Sequence, residues 1–379
     1  MRDFVMTSES VTMGHPDKLC DRISDAVVDA WLASGQRAGV NAECALAGGV
    51  AFLSVRAGGE DPVDAAALAR RVVAESGYDP EDGHETMTVI LELARDPALA
   101  PDRIARAAGR QMVTAFGYAC DSTPMGLPAP IDAAHRIARA LDAGRVDGRL
   151  GWLGPDAKAQ VAVRFEDRRP VAVEAVALTL DTGGEIGQPS VEAAVREHAV
   201  APALAACGVP LAEAALVTVI STETASGPAA HTGLTGRKTS DDGYGAFVHQ
   251  SGSALSGKDP SRIDRIADYA ARHAARGIVA AGLAREAEVQ LSYIPGRATP
   301  YDVEVDSHGT GAAPDREIRA KLLEAVDFRA EAIAERLGLW ELPGRHGGRF
   351  YQRLAAYGQM GRDDLELPWD APTLAEALG

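Results

Sequence analysis

Cysteine is scarce in this chain, with four among 379 residues, at positions 20, 44, 120 and 207. They are scattered, with neither metal-type pairing nor a disulfide framework, and read as reduced thiols. Aromatic residues are also few, 5% against 46% hydrophobic residues overall, which leaves an ordinary globular composition rich in small apolar side chains. Positive charge is in deficit: 38 Lys and Arg face 54 Asp and Glu, a formal net charge of −16. That balance argues against nucleic-acid or anionic-membrane partners, which favour basic surfaces. Any polyanionic substrate must therefore meet a local cluster of cations. No stretch of 18 apolar residues is present to span a bilayer, and the first residues lack the apolar region of a secretory signal, so a soluble, cytoplasmic protein is expected. The length predicts two or three domains.

Pro16 suits the first turn of a helix, and Leu19, Ile23, Val27, Ala30 and Trp31 follow at helical spacing. Asp17, Asp21, Asp25 and Asp29 share another face. The last three read as a solvated acidic stripe, whereas Asp17 sits in the first turn beside His15 and Lys18. Residues 40–46 and 50–56 predict a hairpin about Ala47-Gly48-Gly49, followed by a helix over 62–76 and a strand over 88–93. The rhythm returns with a helix over 131–141, a hairpin of 159–165 with 171–180, a helix over 191–207 and a strand over 215–221. A third pass holds a helix over 259–281, strands over 288–294 and 302–305, and a helix from Asp315. Three such passes predict an α+β fold with an internal threefold repeat and domains at about 1–103, 104–226 and 227–379.

Three short runs place glycine beside cations or a carboxylate: Gly14-His15-Pro16-Asp17-Lys18, Gly233-Leu234-Thr235-Gly236-Arg237-Lys238 and Ser256-Gly257-Lys258-Asp259-Pro260. Glycine lets backbone approach a bulky anion and the cations neutralise it, so the runs point to a polyphosphate site assembled from distant segments. With Thr7-Ser8-Glu9-Ser10-Val11 and Pro155-Asp156-Ala157-Lys158 they resemble the S-adenosylmethionine synthetase (methionine adenosyltransferase) family, over about residues 4 to 370. The resemblance implies three βαββαβ units about a pseudo-threefold axis. It also implies a homodimer or dimer of dimers with active sites between subunits, and ATP and methionine as substrates.

The resemblance assigns Asp156, Lys158, Arg237, Lys238, Lys258 and Arg262 to the polyphosphate of ATP, with Arg262 standing where the family usually has lysine. Asp17 and Asp264 match its magnesium (Mg2+) carboxylates, and Glu43 the carboxylate associated with potassium (K+). Magnesium takes few carboxylates alongside phosphate oxygens and water, so two suffice. His15 matches the active-site histidine, joined by Lys158, Arg237 and Lys258 as the catalytic set. A cationic imidazole there would stabilise the departing oxygen as the C5′–O bond of ATP breaks. Displaced tripolyphosphate would then be cleaved to diphosphate and phosphate.

The acceptor end departs from the pattern. Arg56 falls where the family has the glutamate of a Gly-Gly-Glu contact to the amino acid, although a rival alignment slides Gly58-Gly59-Glu60 there. The family's Gly-Asp-Gln-Gly stands as Gly109-Arg110-Gln111-Met112, and its Gly-Asp ahead of Gly-Leu-Thr-Gly-Arg-Lys stands as Ala230-His231. The loop from Thr222 to Pro228 is shorter and lacks an aromatic residue to stack on adenine. Two acid-to-arginine exchanges on one side of the pocket point to a changed acceptor. Because the fold and the phosphate site match, the expected activity is still an ATP-dependent adenosyltransferase using methionine. Its alternatives are transfer to a different acceptor, or a non-catalytic partner of a true synthetase.

Overall fold

The computed structural model describes residues 3–35, 37–59, 63–79, 85–104, 111–182, 187–222 and 226–379. The first third of the chain runs β1 (Phe4–Val11), α1 (Pro16–Ala33), β2 (Val40–Ala47), β3 (Val50–Ala57), α2 (Ala65–Glu75) and β4 (Thr88–Arg95). The second runs β5 (Val113–Cys120), α3 (Ala129–Val146), β6 (Ala157–Glu166), β7 (Arg169–Asp181), α4 (Gln188–Val195), α5 (Ala201–Cys207) and β8 (Leu211–Thr222). In the third, β9 (Gly233–Leu234), α6 (Ile263–Ala280), β10 (Glu286–Tyr293), β11 (Asp302–Asp306) and α7 (Asp315–Ala325) follow. The α+β reading and the repeated strand–helix rhythm hold, with one difference. Among the described residues the third pass ends on helices and has no closing strand, so its sheet has three strands where the others have four.

The sheets are interleaved. β1 edges the sheet of β6, β7 and β8; β5 edges that of β10 and β11; β9 edges that of β2, β3 and β4. Each third thus lends its first strand to another third's sheet, an exchange that closes on itself. The three long helices, α1, α3 and α6, have 18 residues each and cover the inner faces of these sheets. In α1 the apolar row Leu19, Ile23, Val27 and Trp31 is at most 1% exposed. Such burial contributes about 1.5–3 kcal/mol per large side chain.

The acidic face of α1 corrects the expectation of a solvated stripe: Asp21, Asp25 and Asp29 are 0%, 0% and 1% exposed. Besides the buried cations Lys18 and Arg265, their partners are backbone N–H groups from remote segments. Asp17 Oδ1 accepts from Leu234 N at 3.1 Å, Asp21 Oδ1 from Gly236 N at 2.8 Å and Asp25 Oδ1 from Gly257 N at 2.8 Å. Asp29 accepts from Tyr351 N at 2.9 Å and Gln352 N at 2.8 Å. Four turns of one helix therefore carry four loop attachments, spaced by about 6 Å per i, i+4 step. The stripe looked solvated because its partners come from more than 200 residues away in sequence.

Candidate active site

Two of the three glycine-bearing runs are mounted on α1 side by side. Gly233 pairs with Leu46 in the edge strand β9, and a Cβ there would lie 2.1 Å from the Pro16 carbonyl oxygen. Gly257 has φ +82°, and its Cβ would lie 1.9 Å from the Ala42 carbonyl oxygen. Both glycines are thus demanded by contact with the protein's own backbone, a reason additional to anion approach. They let the cationic loops lie flat on α1 and β2.

The first cluster gathers at the start of α1. His15 is the N-cap, and its Nδ1 accepts from Asp17 N at 3.2 Å. Asp17 lies 3.6 Å from Arg237 Nε through Oδ1 and 3.4 Å from Lys238 Nζ through Oδ2. The His231 ring lies 5.1 Å from that of His15, and its Nε2 is 2.9 Å from Asp156 Oδ2. Lys158 reaches the rim and pairs with Glu9 at 2.6 Å. Beneath them Lys18 is fully buried between Asp21 at 3.1 Å and Asp242 at 2.5 Å. Burial pulls its pKa down, but the two carboxylates outweigh it and the net shift is upward.

The second cluster lies at the start of α6. Lys258 Nζ is 2.5 Å from Asp264 Oδ2, and Arg262 Nε is 3.6 Å from Asp264 Oδ1. With its amide oxygen turned toward the guanidinium, Gln111 accepts from Arg262 Nε at 2.6 Å and Nη2 at 3.1 Å. Among the described residues no ion pair joins this cluster to the first. His15, Asp17, Asp156, His231, Arg237 and Lys238 are brought together, and so are Lys258, Arg262 and Asp264, as two groups.

Glu43 and Arg56 point from the exposed face of the β2–β3–β4 sheet, with Arg56 opposite Asn41 and Asn41 bridged to Lys258. No carboxylate pairs with Arg56 among the described residues. Arg110, Glu60 and residues 223–225 lie outside the described residues. The donor sets suit the implied ions. Asp264 Oδ1 is buried without a hydrogen-bond partner, and so is Asn41 Oδ1, whose amide nitrogen lies 3.2 Å from Glu43. Hard oxygen ligands of this kind are what Mg2+ and K+ take.

The surroundings of His15 disfavour the cationic form expected of it. Burial, then the charges of Lys238, His231, Lys18 and Lys158, pushes its pKa down to about 3. The ring is neutral at pH 7, and with Nδ1 accepting from Asp17 its proton resides on Nε2 as a hydrogen-bond donor. This sets a pH dependence. The folded-state pKa lies below the ordinary 6.5, so the unfolded chain binds the proton first as pH falls. Stability is lost from about pH 6.5 downward, by at most about 1.4 kcal/mol per unit for this group. His15→Asn keeps a good N-cap and should shrink the drop in thermal midpoint between pH 7 and pH 5. Equal drops in both proteins would contradict it.

Sequence reasoning missed Glu9, Asp242 and Arg265. Glu9 lay inside a quoted motif, and Asp241-Asp242 follow the Arg237-Lys238 run by two residues, so both were within view. Arg265 gave no local signal.

Comparison with known proteins follows the same segments. Family models described as the N-terminal, central and C-terminal domains of S-adenosylmethionine synthetase match residues 3–96, 105–223 and 225–371. An S-adenosylmethionine synthase of Prochlorococcus marinus (strain MIT 9303) is 41% identical, covering 98% of this chain and 95% of its own length. One from Synechococcus sp. (strain CC9902) is 40% identical, covering 100% and 99%. That of Synechococcus elongatus (strain ATCC 33912 / PCC 7942 / FACHB-805) is 37% identical, covering 100% and 97%.

Proposed function

Because this chain belongs to the S-adenosylmethionine synthetase family, we propose that it transfers the adenosyl group of ATP to methionine and cleaves the tripolyphosphate that leaves. The observation that carries the reading is the mounting of both cationic loops on one acidic helix face, through Gly236 on Asp21 and Gly257 on Asp25. Lys158, Arg237 and Lys238 then receive phosphate oxygens from one side, and Lys258 and Arg262 from the other. Arginine offers a fork and lysine a point charge for that task. His15 donates from Nε2 toward the departing oxygen. Asp17 and Asp264 hold magnesium and Glu43 potassium, which when bound spread the negative charge of the polyphosphate.

Two clusters without an ion pair between them favour a site completed by a second copy. The exposed sheet face supports that assembly: Leu234, Phe52 and Ile90 are 46%, 52% and 49% exposed. They fall in one row, because Ala45 pairs with both Leu234 and Phe52, and Phe52 with Ile90. A contiguous apolar row beside Glu43 and Arg56 suits a homodimer or dimer of dimers. The domains divide near 103 and 226. Among the described residues no helix is long and apolar enough to cross a membrane; we place the protein in the cytoplasm. Incubation with ATP, Mg2+ and K+, with and without methionine, followed by mass spectrometry, tests the reading. Methionine-dependent S-adenosylmethionine is expected; failure to consume ATP would leave only the partner-subunit alternative.

A second acceptor has one specific observation in its favour: Arg56 is exposed and, among the described residues, has no carboxylate partner, a cation at the position where the resemblance puts the contact to the ammonium group. Arg56→Glu is then expected to raise kcat/KM for methionine by about tenfold, the equivalent of ~1.4 kcal/mol. No gain removes this reading.

A further inference from the structure

Three side chains of the first cluster share a chemistry that polyphosphate binding does not use. His15, Asp156 and His231 each offer a ligand atom, and the three atoms lie within 4.8 Å of one another. We propose that these three residues form a site for a first-row transition-metal dication of the zinc or cobalt type, separate from the magnesium carboxylates.

The donor set makes the choice of ion. Two imidazoles and a carboxylate are the three protein ligands of many zinc sites that keep a fourth position open to water. Imidazole nitrogen suits zinc, cobalt and nickel, whereas magnesium demands oxygen. Asp156 is held ready for this role. Its carboxylate is 9% exposed, and Oδ2 accepts from Gly227 N at 3.0 Å while lying 2.9 Å from His231 Nε2. The edge of a tetrahedron with bonds of about 2.0–2.1 Å is roughly 3.3–3.4 Å, so the two groups, 2.9 Å apart as a hydrogen-bonded pair, open by about 0.4–0.5 Å to admit an ion. An ion replaces the proton shared between the two groups.

His15 needs one exchange. Its Nδ1 faces the start of α1, 3.2 Å from Asp17 N and 3.9 Å from Asp17 Oδ2. Ligation through Nε2 moves the ring proton to Nδ1, where Asp17 can accept it, so the metal-bound form gives up the Nε2 donor that faces ATP and is distinct from the form that transfers the adenosyl group. The result is a carboxylate–histidine–metal arrangement, the usual support for a ligating histidine. Entry is open, since the His231 side chain is 46% exposed.

The neighbouring cations weigh against a dication, but each lies beside a carboxylate, with Arg237 and Lys238 sharing Asp17. Lys18 is paired with Asp21 and Asp242, Lys158 with Glu9, and Lys238 with Asp17. The local field is thereby reduced. His231 is the residue that makes the set, because Asp156 and His15 alone offer only two ligands.

Titration of the full-length protein with Co2+, without nucleotide or magnesium, tests the site. The expected result is one equivalent bound with the intense visible absorption of a tetrahedral cobalt centre, undisturbed by excess Mg2+. His231→Asn should weaken that binding by more than about tenfold, while His249→Asn, at another exposed histidine, should leave it unchanged. Equal affinity in wild type and His231→Asn, displacement by Mg2+, or no bound equivalent overturns the proposal. Because ATP is absent throughout, none of these outcomes bears on adenosyl transfer, and failure of transfer does not bear on the cobalt spectrum.

Discussion

Lys258→Met is expected to lower both tripolyphosphate formation and its cleavage by about 10²–10³-fold, the usual loss when one fixed donor to a developing negative charge is removed. The ammonium group of Lys258 is held by Asp264 at 2.5 Å and by the Ala254 carbonyl at 2.5 Å, with a side chain only 11% exposed. It is therefore placed in advance and pays no reorganisation when a polyanion arrives. Methionine fills the same stem volume, and Arg262, 3.6 Å from Asp264, stays as a partial partner for the carboxylate, so the fold should persist. Single-turnover assays with ATP, and separate assays with tripolyphosphate as substrate, distinguish the two steps. Unchanged rates in both would remove Lys258 from the polyphosphate clamp.

The helices and hairpins were legible because their signals are local. The 3.6-residue row from Leu19 to Trp31 and the Gly48-Gly49 turn reproduce α1 and the β2–β3 hairpin closely, and the cationic runs were visible for the same reason. What is non-local was not legible. The exchange of β1, β5 and β9 between sheets depends on pairings such as Ser8 with Val161 and Ala45 with Leu234, which leave no pattern along the chain. The Asp21–Asp25–Asp29 row has the spacing of a solvated helix face, and only the loops laid over it turn it into a buried one. The charge state of His15 likewise follows first from its burial and then from Lys238, His231 and Lys158, which arrive from segments remote in sequence.

Asp25→Leu should be the most damaging single change to stability, at about 3–5 kcal/mol, because it strands a buried cation. Arg265 is 1% exposed and makes a two-pronged contact with Asp25, Nη1 to Oδ1 at 2.7 Å and Nη2 to Oδ2 at 3.1 Å. Its other partners are neutral: the Lys258 carbonyl, the Tyr269 hydroxyl and the face of Tyr351. Denaturant unfolding of the single variant measures that loss. A double variant, Asp25→Leu with Arg265→Met, separates stability from site geometry. Replacing both charges by apolar groups of similar size is often near neutral, so most of the stability should return. Gly257 N, which donates to Asp25 at 2.8 Å, stays without its acceptor in the double variant. The Ser256-Gly257-Lys258 loop then loses its attachment to α1, and activity should stay low even as the midpoint recovers. If turnover returns together with stability, Asp25 serves only to neutralise Arg265, and the loop that carries Lys258 is positioned by other contacts.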